Sequence, residues 1–378
     1  MHRLSMLCAV LLSTFSLQAT ANADLTPTRA DPASLDVVEI AGNLDRPWGL
    51  AFLPDGAMLV TERSGQLRRI DAQGKVSQPL QGVPEVAARG QGGLLDVVLS
   101  PGFKNDRWVY LSYAEAGEGK MGTAVGRGRL SQDNASLEGF EVIFRQAPKL
   151  STGNHFGSRL AFDRDGFLFI SLGENNERSA AQDLDKHQGK IVRLNADGSV
   201  PKDNPFVDRK GALPEIWTYG QRNPQGMAMH PTTGKIWSSE HGPRGGDEVN
   251  LAEPGKNYGW PLATHGINYS GMRIPEAKGA AVDGTEPPLY VWTKSPAISG
   301  MAFYTGDAPA WKNSLFIGAL GSQDVIRLTL NGEEVVAEER MLADRGERVR
   351  DVRIGPDGAL YVLTDASDGK LLRVKPRQ

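Results

Sequence analysis

Hydrophobic and polar residues alternate in short runs along most of this chain, and the runs come in pairs. Residues 48–60 read WGLAFLPDGAMLV: an alternating run, a Pro-Asp-Gly turn, then a second apolar run. Period-2 alternation bounded by turn residues predicts a β-hairpin. The outline returns from Arg350 as RDVRIGPDGALYVLTD. Four looser copies lie between: LDVVLSPGF followed by WVYLSY, RLAFDRDGFLFISLG, GMAMHPTTGKIWSSE, and GMAFYTGD followed by SLFIGAL. Aligned, they place Leu50, Val97, Leu160, Met227, Met301 and Val352 at one position. Four residues on stand Pro54, Pro101, Pro231 and Pro356, with Arg164 and Thr305 in the other two copies. The starts are 47, 63, 67, 74 and 51 residues apart, which leaves room for four strands and insertions per unit, as in a propeller blade. The pattern therefore predicts an all-β protein, a six-bladed β-propeller. The strand Asp36–Ile40, ahead of the first copy, is placed to complete the last blade and close the ring. A sandwich would not repeat one motif six times, and the near absence of helical periodicity weighs against an α/β sheet.

The first 23 residues break the pattern. A basic start at His2 and Arg3, an apolar run from Leu7 to Leu17 and the ending Ala21-Asn22-Ala23 predict a secretory signal peptide. The run is too short for a membrane span, and no membrane insertion is expected. Residues 24–34 read as a flexible lead-in, and 35–378 as one propeller domain. Cys8, the only cysteine, lies in the signal, so the mature chain is expected to lack disulfides, thiolate metal sites and cysteine nucleophiles. Export to a bacterial periplasm follows as the expected location. The net charge of −3 argues against a nucleic-acid partner.

In a propeller, residues just before each innermost strand meet at one rim of the central channel. The repeat alignment puts Asp45, Arg46, Gln91, Asn154, His155, Ser158, Gln221, Arg222, Asn223, Gln225, Ser295, Glu347, Arg348 and Arg350 there, with Lys294 one position further out. A cluster of arginines in an acidic protein suits an anionic ligand, since guanidinium pairs bidentately with carboxylate or phosphate. The alternative is that these arginines bridge neighbouring blades through Asp45, Glu347 and Asp351. His155 is the one histidine in this window and a candidate general base. Glu174, nineteen residues on at the end of the partner strand, is placed to orient its second nitrogen. The loop His241-Gly242-Pro243-Arg244-Gly245-Gly246-Asp247-Glu248 offers carbonyls and carboxylates to a hard cation such as Ca²⁺, or is a plain polar turn.

Several longer stretches carry a resemblance: GQGGLLDVVLSPGF, NHFGSRLAF, GKIVRLNADGSVPKDNPF, YGQRNPQGMAMHP, EHGPRGGDEVNL, GKNYGWPLATHGINYSG and RVRDVRIGPDGALYVLTD. In this order they resemble the soluble quinoprotein glucose/sorbosone dehydrogenase family, in particular its periplasmic aldose sugar dehydrogenases that depend on pyrroloquinoline quinone (PQQ). The family fold is the quinoprotein glucose dehydrogenase-like six-bladed propeller. The resemblance implies oxidation of the sugar C1 hydroxyl to the lactone, with hydride transfer to the quinone and electrons passed to an external acceptor, a periplasmic cytochrome or a quinone. It implies that His155 is the base, Glu174 its orienting acid, and Arg222 the cation that stabilises developing charge. Gln91, His155, Arg222, Asn223, Tyr269, Arg348 and Arg350 would contact PQQ. Gly242 and Pro243 would bind a catalytic Ca²⁺ through backbone oxygens, and Glu248 and Tyr258 a second, structural Ca²⁺.

Two positions depart from the family pattern. Gly321 and Ser322 stand where a quinone-contacting lysine is expected, so either one anionic anchor is missing or Lys294 or Arg244 replaces it. Asn154 replaces an aspartate before the histidine. Two other functions compete: a Ca²⁺-dependent lactonase, and a propeller that binds a glycan or protein without catalysis. A rim of Arg, Gln and His suits an anionic cofactor better than a lactonase ion.

Overall fold

The computed structural model describes residues 22–23 and 25–377, and apart from Asn22 and Ala23 the expected signal segment lies outside the described residues. Six antiparallel sheets form the six blades. Their innermost strands are Pro47–Phe52, Leu94–Leu99, Gly157–Phe162, Pro224–Met229, Ile298–Phe303 and Val349–Ile354. Each packs on the next and the sixth packs on the first. The aligned residues Leu50, Val97, Leu160, Met227, Met301 and Val352 all sit on these strands and are buried. The ring closes as the pattern predicts: Leu35–Leu44 pairs antiparallel with Gly369–Pro376, Val38 opposite Arg373, and is the outer strand of the sixth blade. Residues 25–34, expected to be a flexible lead-in, are held instead. Thr28 and Arg29 pair in parallel with Glu339 and Arg340 on the outer edge of the fifth blade, and Leu25 packs against the apolar cluster between the fourth and fifth blades.

Alternate side chains of one strand face two different neighbours, so the core is divided into wedges between blades. Leu111 packs toward the first blade beside Leu59 and Leu67, while adjacent Tyr110 packs toward the third beside Leu160 and Ile170. The last wedge joins Leu363 and Leu371 to Leu50 and Val60 and so ties the sixth blade to the first.

Every innermost strand carries a bulge at its entry. A bulge frees backbone groups and re-aims side chains. Hydroxyls on the second strands take up the freed groups and stitch one blade to the next. Thr61 Oγ1 accepts from Gly49 N–H and donates to Leu95 O of the second blade. Ser112 repeats this with Asp96 and Ser158, and Ser171 with Arg159 and Pro224. In the fifth blade that position is Gly318, and Ser299 of the innermost strand donates to Val349 O instead.

On the axis there is no room for six side chains. A Cβ at Gly300 would stand 1.9 Å from Asp351 Oδ1, and one at Gly49 would stand 2.8 Å from Asp96 Oδ1. The space goes to an ion cluster: Arg159 Nη1 lies 3.1 Å from both Asp96 and Asp351, and Arg353 lies 2.9 Å from Asp96 and 3.1 Å from Asp351. Arg159 also lies over the Trp48 ring, at 4.1 Å. This cluster closes the channel below the rim. Asp96→Ala removes a carboxylate from two arginines at once, so a loss of about 3–5 kcal/mol in urea unfolding is expected. A loss below about 1 kcal/mol would show that the cluster does not hold the axis.

Candidate active site

The bulged entries deliver the rim residues to two adjoining cavities that share Gln91. The outer one, a cleft of 520 Å³ at the mouth, is lined by His155, Glu174, Arg222 and Tyr269. The inner one, of 220 Å³, is lined by Asn223, Arg348 and Arg350. The rim window thus converges largely as the repeats imply. Asp45, Arg46, Ser158, Gln221, Ser295 and Glu347 do not line either cavity. Gln221, for example, is buried on Thr218.

His155 sits in a left-handed conformation, φ 54°, which for a non-glycine residue must be imposed by its surroundings. Gln91 Oε1 accepts its N–H at 2.8 Å, and Asn175 donates to its carbonyl from both backbone and side chain. Gly173 makes this possible, because a Cβ there would fall 1.9 Å from His155 O. The imidazole Nδ1 then lies 2.6 Å from Glu174 Oε2, a buried oxygen that also accepts from Asn176 N–H. The pairing predicted from strand position is therefore present. With Nδ1 facing a carboxylate, Nε2 is the nitrogen left for the cleft.

Arg222 is aimed by its own backbone: its N–H donates to Glu240 Oε2 at 2.6 Å and its carbonyl accepts from Glu174 N–H. Its guanidinium donates to His241 O and lies over the Trp260 ring at 5.4 Å, while Nε finds no partner among the described residues. Asn223 Oδ1 is taken by Gly157 N–H, which leaves its amide group for the pocket.

Arg348 and Arg350 are held by an acid that the sequence reading passed over. Asp365 Oδ2 accepts from both, at 3.1 Å each, and the arginines hold its carboxyl below the usual range despite burial. The expected blade-bridging acids are used elsewhere: Asp45 pairs with Arg46, Glu347 with Arg345 and Lys370, and Asp351 with the axial arginines. Two guanidiniums on one carboxylate leave a positive charge over.

The lysine missing at Gly321 is not replaced by Lys294 or Arg244, both exposed and outside the two cavities. A Cβ at Gly321 would press on Pro296 O at 2.9 Å, and Arg348 Nη1 sits on the neighbouring Leu320 carbonyl. Arg63, from the turn after the second strand of the first blade, lines the inner pocket and adds the further cation. His241 lines it too. Burial, then Arg222, His155 and Arg350, push its imidazole down to about 3, and its Nε2 has no partner among the described residues. The missed residues come from second-strand ends and turns, where the repeat alignment was not searched.

The metal candidates separate into two places. Gly242 N–H is spent on Asp247 Oδ1, while among the described residues nothing donates to the carbonyls of Gly242 or Pro243. Glu248, partly buried, lies beside the buried Glu240, and Asn250 Nδ2 donates to both. Burial pushes both carboxyls up, Glu248 to about 7. The Tyr258 hydroxyl is not free for a metal, since it donates to Leu251 O and accepts from Glu253 N–H. Only its backbone oxygen could serve.

Fold and site together define a closed six-bladed propeller with an imidazole–carboxylate pair beside a cationic pocket. The chain belongs to the glucose/sorbosone dehydrogenase family, whose profile matches residues 44–373. It is 60% identical over 351 residues to aldose sugar dehydrogenase YliI of Escherichia coli K12, covering 92% of this chain and 95% of that protein. The apo crystal structure of the soluble E. coli aldose sugar dehydrogenase superposes with a TM-score of 0.89 at 60% identity, covering 91% of this chain and all of that one. A PQQ-bound aldose sugar dehydrogenase from Streptomyces coelicolor matches with a TM-score of 0.75 at 30% identity, over 92% of this chain and 100% of that one.

The His155–Glu174 contact fixes a tautomer, because a carboxylate accepts only a protonated Nδ1. Nitrogen-15 NMR should show His155 protonated at Nδ1 in the resting protein and shifted toward the Nε2–H form in Glu174→Ala. An Nε2–H imidazole in the unsubstituted protein would remove this assignment.

Proposed function

We propose that the protein oxidises the C1 hydroxyl of aldose sugars to the lactone as a PQQ-dependent dehydrogenase, and that it works in the periplasm. The observation that carries the reading is the His155–Glu174 pair set at the edge of a pocket with more arginine than acid. Relatives of the same family include a PQQ-bound aldose sugar dehydrogenase.

The pocket fits a planar tricarboxylate. Arg222 Nε and Arg350 Nε are buried donors without acceptors among the described residues, and His241 Nε2 is a buried lone pair without a donor. Arg348, Arg350 and Arg63 would hold carboxylates, Gln91 and Asn223 would hold carbonyl edges, and Tyr269 would cover the outer face. The unengaged carbonyls of Gly242 and Pro243 fit a Ca²⁺ at the mouth. Glu248, with Glu240 beside it and the Tyr258 carbonyl as third candidate, fits a second. When bound, PQQ supplies the two-electron acceptor and Ca²⁺ the Lewis acid.

The rest is done by the chain. His155 Nε2 takes the proton of the C1 hydroxyl, and Glu174 holds the ring so that the resulting imidazolium faces a carboxylate. Arg222 places a fixed, desolvated positive charge where negative charge builds up. A lactonase is disfavoured because the carboxylates on the axis, Asp96 and Asp351, are already taken by Arg159 and Arg353.

The experiment that tests this is a titration of the apo-protein with PQQ and Ca²⁺, reading dye reduction on adding an aldose. Saturable, Ca²⁺-dependent turnover is expected, and a folded sample that neither binds PQQ nor reduces dye would overturn the proposal. His155→Ala should lower turnover by about 10²–10⁴ with PQQ still bound. Arg348→Ala should weaken reconstitution by PQQ, read as a shifted titration midpoint, and an unaltered midpoint would exclude it as an anchor. Ca²⁺ should raise the melting temperature of the wild type more than that of Glu248→Gln, and equal shifts would displace the second ion from Glu248.

A further inference from the structure

Oxidation of the sugar, the reading on which this inference rests, requires two electrons and two protons to leave for every lactone formed. The axial ion cluster closes the channel below the pocket, so the mouth is the way out. One lip of the mouth is the tip of the long connection 252–289 in the fourth blade, where Arg244 and Ile267 exchange backbone hydrogen bonds. Three large hydrophobic side chains stand exposed on this tip: Ile267 at 38%, Tyr269 at 74% and Met272 at 68%. The other exposed large hydrophobics, Val38, Val200, Val207 and Val336, are all valines and less exposed than Tyr269 and Met272.

Cations surround the tip. Arg244 and Arg273 are exposed beside it, and Arg89 is exposed two residues from Gln91, which lines both cavities. None of the three makes an ion pair among the described residues, although the chain as a whole carries −3. Of the acids at the mouth, Glu174 pairs with His155, Glu276 with Arg178, and Asp365 with Arg348 and Arg350, while Glu177, between Asn176 and Arg178 of the cleft, is exposed without an ion pair among the described residues. Cofactor binding does not account for this collar. Arg89, Arg244, Arg273, Ile267 and Met272 line neither cavity; of the three exposed apolar side chains of the tip, Tyr269 alone lines the cleft and would also cover the cofactor. Tyr, Met and Arg are the residues over-represented where proteins dock, and unpaired cations steer an acidic partner.

We propose that the tip 267–273, with Arg89, Arg244 and Arg273, is the docking surface for an acidic one-electron-transfer protein. For each aldose, the C1 hydride and the hydroxyl proton leave as two electrons and two protons. Two acceptor molecules are each reduced by one electron, and the two protons pass to water.

The test uses the PQQ- and Ca²⁺-loaded protein with a small acidic c-type cytochrome and a basic one of similar potential as probes. At low ionic strength the acidic cytochrome should be reduced at least about tenfold faster, and that advantage should collapse by about 200 mM salt. Met272→Asp and Arg273→Glu should each weaken cytochrome binding, measured by interferometry on protein without sugar or cofactor, and slow its reduction severalfold. Dye turnover and the PQQ titration should stay at wild-type values. Equal, salt-independent rates for the two cytochromes, or variants that bind and reduce the acidic one normally, would overturn the docking surface in favour of a small diffusible acceptor. If the unsubstituted protein reduces no dye with any aldose, the oxidation reading falls and takes the electron-transfer role with it. Cytochrome binding without cofactor separates that failure from failure of the surface.

Discussion

Six strands that converge on one axis cannot all bring side chains to it, and the rest of the molecule follows from how that crowding is resolved. Gly49, Gly226 and Gly300 withdraw from the axis, and Asp96, Arg159 and Asp351, with Arg353 beside them, fill it. Burying four charges is costly unless each is paired, and here each carboxylate lies within 3.1 Å of an arginine nitrogen. The cluster also makes a floor: Trp48, over which Arg159 lies, is a wall of the inner pocket, and Arg350 of that pocket approaches the same ring at 5.9 Å.

The constraint is carried from the axis to the rim by backbone rather than by long side chains. A bulge at each strand entry and a hydroxyl from the second strand fix where the preceding turn emerges. That is why His155 can be held at a positive φ with its ring at the mouth. Its carbonyl and N–H are already satisfied by Asn175 and Gln91, so the strained residue has nowhere to relax.

What could be read in advance was whatever the repeat makes periodic. The blades, the closing strand, the rim position of His155 and the approach of Glu174 all follow from counting along one hairpin. Asp365 lay inside the quoted repeat RDVRIGPDGALYVLTD and was still passed over as a partner for Arg348 and Arg350. Asp365 stands seventeen residues from Arg348, and the hairpin returns its far end to the entry it started from. Arg63 and Glu240 escaped for the same reason. The connection 252–289 was opaque on different grounds: it has no period, and its tip is located only by contacts with Arg244 in another loop. The Tyr258 hydroxyl likewise could not be known to be spent on Leu251 and Glu253.

One device recurs in four of the six blades with different cargo. In the first, third, fourth and sixth blades an acid at the end of the second strand reaches back to the residues that precede the innermost strand of the same blade. Glu62 takes Asp45 N–H, Glu174 takes the His155 imidazole, Glu240 takes Arg222 and Asn223 N–H, and Asp365 takes the Arg348 and Arg350 guanidiniums. The hairpin geometry that makes a blade thus places a carboxylate beside a rim position wherever the sequence supplies one. What it grips decides what the blade contributes. A backbone N–H gives rigidity, an imidazole is given a fixed orientation, and a pair of guanidiniums forms an aimed cationic surface with charge to spare. A burial cost that would be excessive for a lone carboxylate is offset in each case by the group it orients. Chemistry at the mouth is therefore an elaboration of the repeat itself, and variation at these four acids is where propellers built on this hairpin can change reaction without changing fold.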